Sequence, residues 1–282
     1  MDAQVKPADS RTFDIELQLL VDALYLKFHF DFRGYARASL RRRVAAALAR
    51  FGCDSVSQLQ HLLLHDPATF PALLDFLTVQ VSDMFRDPSY FRALREQVVP
   101  LLRTYPSLKL WVAGCSAGEE AYSLAILLRE EGLLSRSLIY ATDINAQALK
   151  RAEEGVYELE RIAGFTTNHQ ESGARGSLSD YYTAAYGRAK FDKTLRQHIV
   201  FSDHSLATDS VFAEVQLVSC RNVLIYFDRE LQNRAVRLFR DALCRKGFLG
   251  LGTKESLRFS TSTDAFDEFA PDARIYRRKA AP

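Results

Sequence analysis

Cysteine is scarce and scattered: Cys53, Cys115, Cys220 and Cys244 are the four in 282 residues, and no two form a CxxC pair. That spacing argues against a zinc site and a disulfide framework, and leaves free thiols suited to a reducing cytoplasm. No apolar run approaches the ~20 residues of a membrane-spanning helix. The first residues, MDAQVKPADSRTFDIE, are polar and acidic, without the basic start and apolar middle of a secretory signal. Net charge is only +2, so the global balance names no partner, nucleic acid included. His61 and His65 stand four apart, but no HExxH glutamate or third ligand accompanies them, and they read as ordinary histidines rather than a metal site. What is present is the composition of a soluble globular chain, 48% apolar and 26% charged. The length suits one core with a smaller partner domain.

Periodicity divides the chain. Residues 12 to about 105 read as helical, without a strand signal. Phe13, Leu17, Leu20 and Val21 recur at helical spacing, as do Leu40, Val44, Ala47, Leu48 and Phe51 in YARASLRRRVAAALARFG. Ser55 is placed to cap the next helix, and Pro88 stands at a favoured first helical position. From Leu108 the pattern changes to short apolar runs alternating with helical stretches: LKLWVAG, SLIYATD, HIVFSD, VQLVSC and FLGLGT, with RIYRRK last. Such alternation predicts a mostly parallel sheet covered on both faces, which binds ligands at the carboxyl ends of its strands. Residues 157–198 interrupt it: GFTTNHQESGARGSLSD reads as a loop, and DYYTAAYGRAKFDKTL as short antiparallel strands around Gly187. The expected organisation is a helical domain over 1–90, a linker helix over 91–105, and an α/β domain over 106–282 carrying a β insertion at about 157–198.

The turn after the first strand, WVAGCSAGEEAYSLAI, has the wrong charge for a phosphate. A dinucleotide site needs GxGxxG and a phosphate loop needs GKS or GKT; neither is present, and two acids occupy the helix start. With the helix starting at Ser116, Ser116 and Glu119 read as a capping box, leaving Glu120 either as a favourable charge at the helix end or as a ligand group. A ligand with an ammonium or sulfonium and no phosphate fits such a turn, and S-adenosylmethionine is one. Asp143, ending the next strand, is placed either to accept ribose hydroxyls or to cap the following helix. Arg86 is a lone basic side chain in SDMFRDPSYF; Arg221, Asn222 and Tyr226 in SCRNVLIYFD would lie at the sheet's carboxyl end, and apolar packing leaves Arg221 and Asn222 unexplained.

These segments together resemble the CheR family, the chemotaxis receptor (protein-glutamate) O-methyltransferases. The resemblance is collinear over almost the whole chain and rests on QVSDMFRDPSYF, WVAGCSAGEEAYSLA, YATDINAQALKRAEEGVY, FSDHSL, CRNVLIYFD and GFLGLGTKESL. It implies an all-α N-terminal domain followed by a Rossmann-like class I methyltransferase domain, with a mostly parallel sheet, an antiparallel last strand and a small antiparallel β insertion. It implies S-adenosylmethionine as cofactor and S-adenosylhomocysteine as product. By position, Gln80, Ser82, Arg86, Glu120, Asp143, Ser205, Leu206, Arg221 and Asn222 would line the cofactor, with Arg86 and Tyr226 facing the methyl group and the incoming carboxylate. Gln80 and Ser82 stand where the family often has asparagine and threonine, Ser205 replaces a common asparagine, and Thr253-Lys254-Glu255 stands for HSE.

The implied substrate is a set of glutamate side chains on the cytoplasmic helical bundle of a methyl-accepting chemotaxis receptor. A glutamate carboxylate, with a pKa near ~4.3, is already ionised at neutral pH and needs no general base. The DPPY-type motif of amino-group methyltransferases on DNA is absent. Residues 31–50 carry Arg33, Arg37, Arg41, Arg42, Arg43 and Arg50 against Asp31. That face suits a solvated helix or a nucleic acid. Given the resemblance, it better suits docking of the acidic receptor helix by Arg41, Arg42, Arg43 and Arg50. The segment around AAYGRAKF is shorter and less glycine-rich than in members that grip a receptor C-terminal pentapeptide, so tight pentapeptide binding is not expected. Two rival readings remain: a methyltransferase on another substrate, and a cofactor-binding scaffold. No insertion into the membrane is expected, and the implied location is cytoplasmic.

Overall fold

The computed structural model describes residues 10–258 and 260–280; the reading of the first nine residues lies outside the described part. Contacts divide the chain into two compact units, Met1–Val79 with Ile225–Gln232, and Gln80–Leu224 with Asn233–Pro282. The division therefore falls after Val79, not at 90. Residues 91–105 are no linker either: Phe91, Leu94, Val98, Val99 and Leu102 are buried in the core of the second unit.

The first unit is helical: α1 (Ser10–Phe28), α2 (Arg37–Phe51), α3 (Val56–His65) and α4 (Thr69–Leu77). Leu40, Val44 and Ala47 form the buried stripe of α2, with Leu48 and Phe51 half-buried at its margin. The helix stops at Gly52, whose φ of 64° no β-carbon has to tolerate. Ser55 caps α3 by accepting from the Gln58 amide, as its position predicts. The stretch 225–232 belongs to this unit: the Ala36 amide donates to the Tyr226 carbonyl at 2.8 Å, and the rings of Tyr35 and Phe227 lie 5.0 Å apart.

The second unit opens with α5 (Pro88–Ala93), a π-helical turn over Leu94–Val98, and α6 (Val99–Leu102). Then come β1 (Leu108–Ala113), α7 (Glu119–Glu130), β2 (Ser137–Asp143) and α8 (Ala146–Glu154). The insertion comprises β3 (Val156–Glu158), α9 (Leu159–Glu171), β4 (Tyr182–Ala185), β5 (Arg188–Phe191) and α10 (Lys193–Arg196). The chain ends with β6 (Ile199–Asp203), β7 (Val215–Cys220), α11 (Arg229–Ala242), β8 (Leu243–Leu251), β9 (Phe266–Ala270) and β10 (Ile275–Arg278).

The main sheet has the order β6-β2-β1-β7-β8-β10-β9, and the insertion has its own sheet, β3-β5-β4. Pairing is parallel from β6 through to β8, while β10 runs antiparallel to both β8 and β9. This is the expected mostly parallel sheet with an antiparallel last strand. Strand order reverses at β1, which has β2 on one side and β7 on the other, and the ends of β1 and β7 flank the ligand crevice of such sheets. α7 is buried from Glu119 through Leu128 without a solvent face. The insertion covers it: Tyr122 of α7 meets Phe191 at 5.7 Å and Tyr157 at 6.2 Å, ring to ring.

The insertion departs from its sequence reading in one place. GFTTNHQE, read as loop, forms the second half of α9. Ile162, Phe165 and His169 recur at helical spacing and are buried, and this three-residue stripe outweighs a polar composition. The strands around Gly187 form as expected, with Tyr186 and Gly187 both at positive φ, 51° and 75°.

Candidate active site

The turn after β1 runs Gly114 to Gly118, and the structure corrects its sequence reading. α7 begins at Glu119, with Gly118 (φ 92°) before it and no side-chain cap, so the capping box of Ser116 and Glu119 does not form. Ser116 itself sits at φ 51°. Its hydroxyl donates to Gln80 Oε1 at 2.7 Å and its amide donates to Asp143 Oδ2 at 2.9 Å. The amide that a phosphate would use is thus spent on a carboxylate.

Asp143, the last residue of β2, is buried. Its Oδ1 accepts the Asn145 amide at 2.9 Å, and Gln80 adds a side-chain donor. It does not cap α8; Asn145 does, accepting from the Gln147 and Ala148 amides. Burial raises the Asp143 pKa above its ordinary 3.8, against the lowering effect of these donors.

Glu120 Oε1 accepts from the Ser219 hydroxyl of β7 at 2.5 Å, and Oε2 from Arg221 at 3.1 Å. Ser219 is also bonded to the Tyr90 hydroxyl at 2.8 Å. The second Nη of Arg221 donates to Asp87 Oδ2 and to the Arg86 carbonyl, both at 2.7 Å. Its guanidinium lies over the Tyr90 ring, 4.2 Å from the centroid. The Arg221 side chain is only 1% exposed and holds Glu120 and Asp87. Two carboxylates share this one guanidinium, so the cluster keeps a net charge of about −1.

Arg86 is half-buried, its Nη1 3.3 Å from the Val81 carbonyl. It stands between two non-glycine residues at positive φ, Phe85 at 51° and Asp87 at 56°. Left-handed backbone of this kind costs of order 1 kcal/mol per residue and persists where surrounding contacts enforce it. Those contacts are here: Asn168 donates to the Met84 carbonyl at 3.0 Å, the Phe85 amide to Ser123 Oγ at 2.9 Å, and Arg161 to the Ser82 carbonyl.

Asn222, just past β7, has φ 60°, and its amide donates to Glu255 Oε2 at 2.9 Å while its own Oδ1 is buried without a partner. Ser205 and Leu206 follow β6; the Ser205 amide donates to Asp209 at 2.9 Å and Leu206 is buried. Tyr226 belongs to the helical unit, where the Arg43 guanidinium stacks 4.7 Å from its ring centroid. Sequence reasoning missed Ser219, Asp87, Tyr90, Arg161 and Glu255. Ser219 had a signal, a hydroxyl in the apolar run VQLVSC; the others had none in spacing alone.

The residues fit a cationic ligand with hydroxyls. Glu120, Asp143 and the unpartnered Asn222 Oδ1 are acceptors beyond the carboxyl ends of β1, β2 and β7, and the Ser116 amide is already bonded to Asp143. A sheet of this order with acids after β1 and at the end of β2 defines a class I S-adenosylmethionine-dependent methyltransferase.

Within that class, the chain belongs to the CheR methyltransferase family. The family model for the CheR methyltransferase SAM-binding domain matches residues 80–273, and that for its all-alpha domain matches 15–78. A Pseudomonas putida protein named as a candidate methyltransferase, Cher3, is 56% identical over 268 residues, 95% of this chain and 98% of its own length. The chemotaxis protein methyltransferase of Listeria monocytogenes is 30% identical over 80% of this chain and 84% of its own. That of Vibrio anguillarum is 28% identical over 81% and 83%. The cofactor is S-adenosylmethionine, and the family is that of the chemotaxis methyltransferases. Among the described residues no helix is long and apolar enough to cross a membrane.

Proposed function

We propose that this chain transfers the methyl group of S-adenosylmethionine to glutamate carboxylates on the cytoplasmic helical bundle of a methyl-accepting chemotaxis receptor. The products are glutamate methyl esters and S-adenosylhomocysteine. One observation supports the reading beyond the family: each acid of the site is paired with an arginine or with backbone amides. Glu119 and Glu120 are held by arginines, Asp87 by Arg221, and Asp143 by two backbone amides. A nucleophile that must lose a proton would need a base beyond these acids, which serve the fold and the cofactor. A carboxylate arrives ionised and needs none.

When bound, the cofactor supplies an electrophilic sulfonium methyl group. Glu120 and Asp143 hold its cationic and hydroxylated parts, with Gln80, Ser82, Ser205, Leu206, Arg221 and Asn222 completing the site. Arg86 orients the incoming carboxylate. Attack brings a negative and a positive charge together, so a dry crevice favours it, and most of the acceleration comes from alignment. The exposed arginines of α2 steer the acidic receptor helix.

The test is transfer of labelled methyl groups to receptor cytoplasmic fragments that lack any C-terminal pentapeptide. Label released as methanol in alkali is the expected result, since an ester hydrolyses and an N-methyl group does not. Alkali-stable label, or transfer only to nucleic acid or small molecules, would sink the assignment.

A further inference from the structure

Two arginines grip the segment 82–87 from either end, and each is anchored on one of the paired glutamates that begin α7. Arg221 is the first: it joins Glu120 to the Arg86 carbonyl and Asp87. Arg161, on the first turn of α9, repeats the arrangement. One Nη donates to Glu119 Oε1 at 3.0 Å; the other donates to the Ser82 carbonyl and lies 3.3 Å from Asp83 Oδ1. Each arginine thus ties one glutamate, one carbonyl of the segment and the aspartate next to that carbonyl.

We infer that Arg161, seated on Glu119, is a positioning residue that holds the backbone of Ser82 to Asp87 and so aims Arg86.

The rest of α9 makes the hold firm. Asn168 donates to the Met84 carbonyl at 3.0 Å, and His169 Nε2 pairs with Glu130, at the far end of α7, at 2.9 Å. The Arg161 guanidinium lies 4.8 Å from the Phe165 ring centroid, which fixes its direction. Glu119 has a side chain 2% exposed and a second oxygen, Oε2, buried without a partner. Burying a carboxylate is costly unless it is paired, so Arg161 also accounts for an acid at this position, where a capping role fails. α9 belongs to the β insertion, and so does Tyr157, whose hydroxyl donates to the Ala117 carbonyl of the glycine turn at 2.8 Å. The insertion therefore supports both the cofactor turn and the segment that carries Arg86.

The inference rests on the reading of Arg86 as the residue that orients the methyl acceptor, and the experiment separates the two. Hydrogen exchange on the full chain needs no activity. In Arg161→Ala the Phe85 amide, bonded to Ser123, should lose protection while the amides of β1 and β2 keep theirs, and Glu119→Gln, which keeps the buried volume, should loosen the same amide. Methyl transfer by Arg161→Ala should fall by up to about 100-fold in kcat, with affinity for S-adenosylhomocysteine little changed. Arg161→Lys should recover only part, because one ammonium does not span three acceptors. Unchanged exchange at the Phe85 amide in both variants would overturn the inference, and so would a kcat loss matched by an equal loss of S-adenosylhomocysteine affinity. Near-normal turnover by Arg86→Ala would instead overturn the reading of Arg86, leaving the exchange result to decide on the clamp.

Discussion

Glu119 and Glu120 occupy consecutive positions on the first turn of α7, and each faces a different arginine. Glu120 also takes the Ser219 hydroxyl, bringing it to the end of β7, whereas Glu119 turns toward α9. The two should therefore fail differently. Glu120→Ala removes a charged acceptor from the crevice and leaves Arg221 with Asp87 alone. A charge-assisted contact of this kind is worth about 2 kcal/mol, or roughly 30-fold in S-adenosylhomocysteine affinity. Glu119→Ala should leave that affinity nearly intact and slow transfer instead. Calorimetric titration of both variants checks this, and equal losses of affinity would show that the division of labour is wrong. Only half of it was legible in the sequence. A pair of acids at a glycine turn excludes phosphate by charge alone, which pointed to Glu120. The partner of Glu119 lies 42 positions away on a helix, and local patterns carry no trace of it; the capping-box spacing offered a local partner that the backbone, with Ser116 at φ 51°, does not allow.

Elements place these side chains by close approach. β8 packs its Gly250 against Tyr90 so tightly that a β-carbon there would stand 2.2 Å from the Tyr90 hydroxyl oxygen. That hydroxyl bonds Ser219, which bonds Glu120, so a strand with no residue in the crevice sets the position of one that is. Gly250→Ala should push Tyr90 off Ser219. Overpacking of this order costs about 1–3 kcal/mol, a fall of several degrees in Tm, and weaker S-adenosylhomocysteine binding should accompany it. A variant with unchanged Tm and affinity would show that the contact relaxes freely. The strands themselves were legible because five of them are short apolar runs bounded by turns. α9 was not, because its buried stripe is only Ile162, Phe165 and His169 amid polar residues. β9 was not, since FDEFA carries two acids and owes its place to pairing with β10. The boundary at 79 was hidden by helices on both sides of it: Phe91, Leu94 and Val98 differ from residues of the helical unit only in the core they join.

At the scale of the whole molecule, the proposed function would require an acidic helix of a receptor to be recruited, and α2 is the basic element proposed for it. Its arginines are not equivalent. Arg43 is half-buried, donating to Ser39 Oγ at 3.2 Å and to the Leu77 carbonyl at 3.0 Å beneath the Tyr226 ring, and burial lowers its pKa. Arg41 pairs with Asp14 at 2.8 Å and covers the Phe13 ring. These two also have partners within the helical unit, whereas Arg42 and Arg50 are exposed. Steering by exposed charges is screened over about 8–10 Å at moderate salt, and it acts on the rate of encounter more than on the lifetime of the complex. The double change Arg42→Ala with Arg50→Ala should therefore slow methylation of a receptor fragment several-fold at low ionic strength and flatten its dependence on salt, with S-adenosylhomocysteine affinity and Tm unchanged. Arg43→Ala should do the reverse at the level of the fold, lowering Tm through the loss of its carbonyl contact and its stacking on Tyr226. Initial rates measured from low to high salt decide between these outcomes. If the double variant keeps the full salt dependence, the attraction arises elsewhere on the molecule and α2 is only a solvated helix.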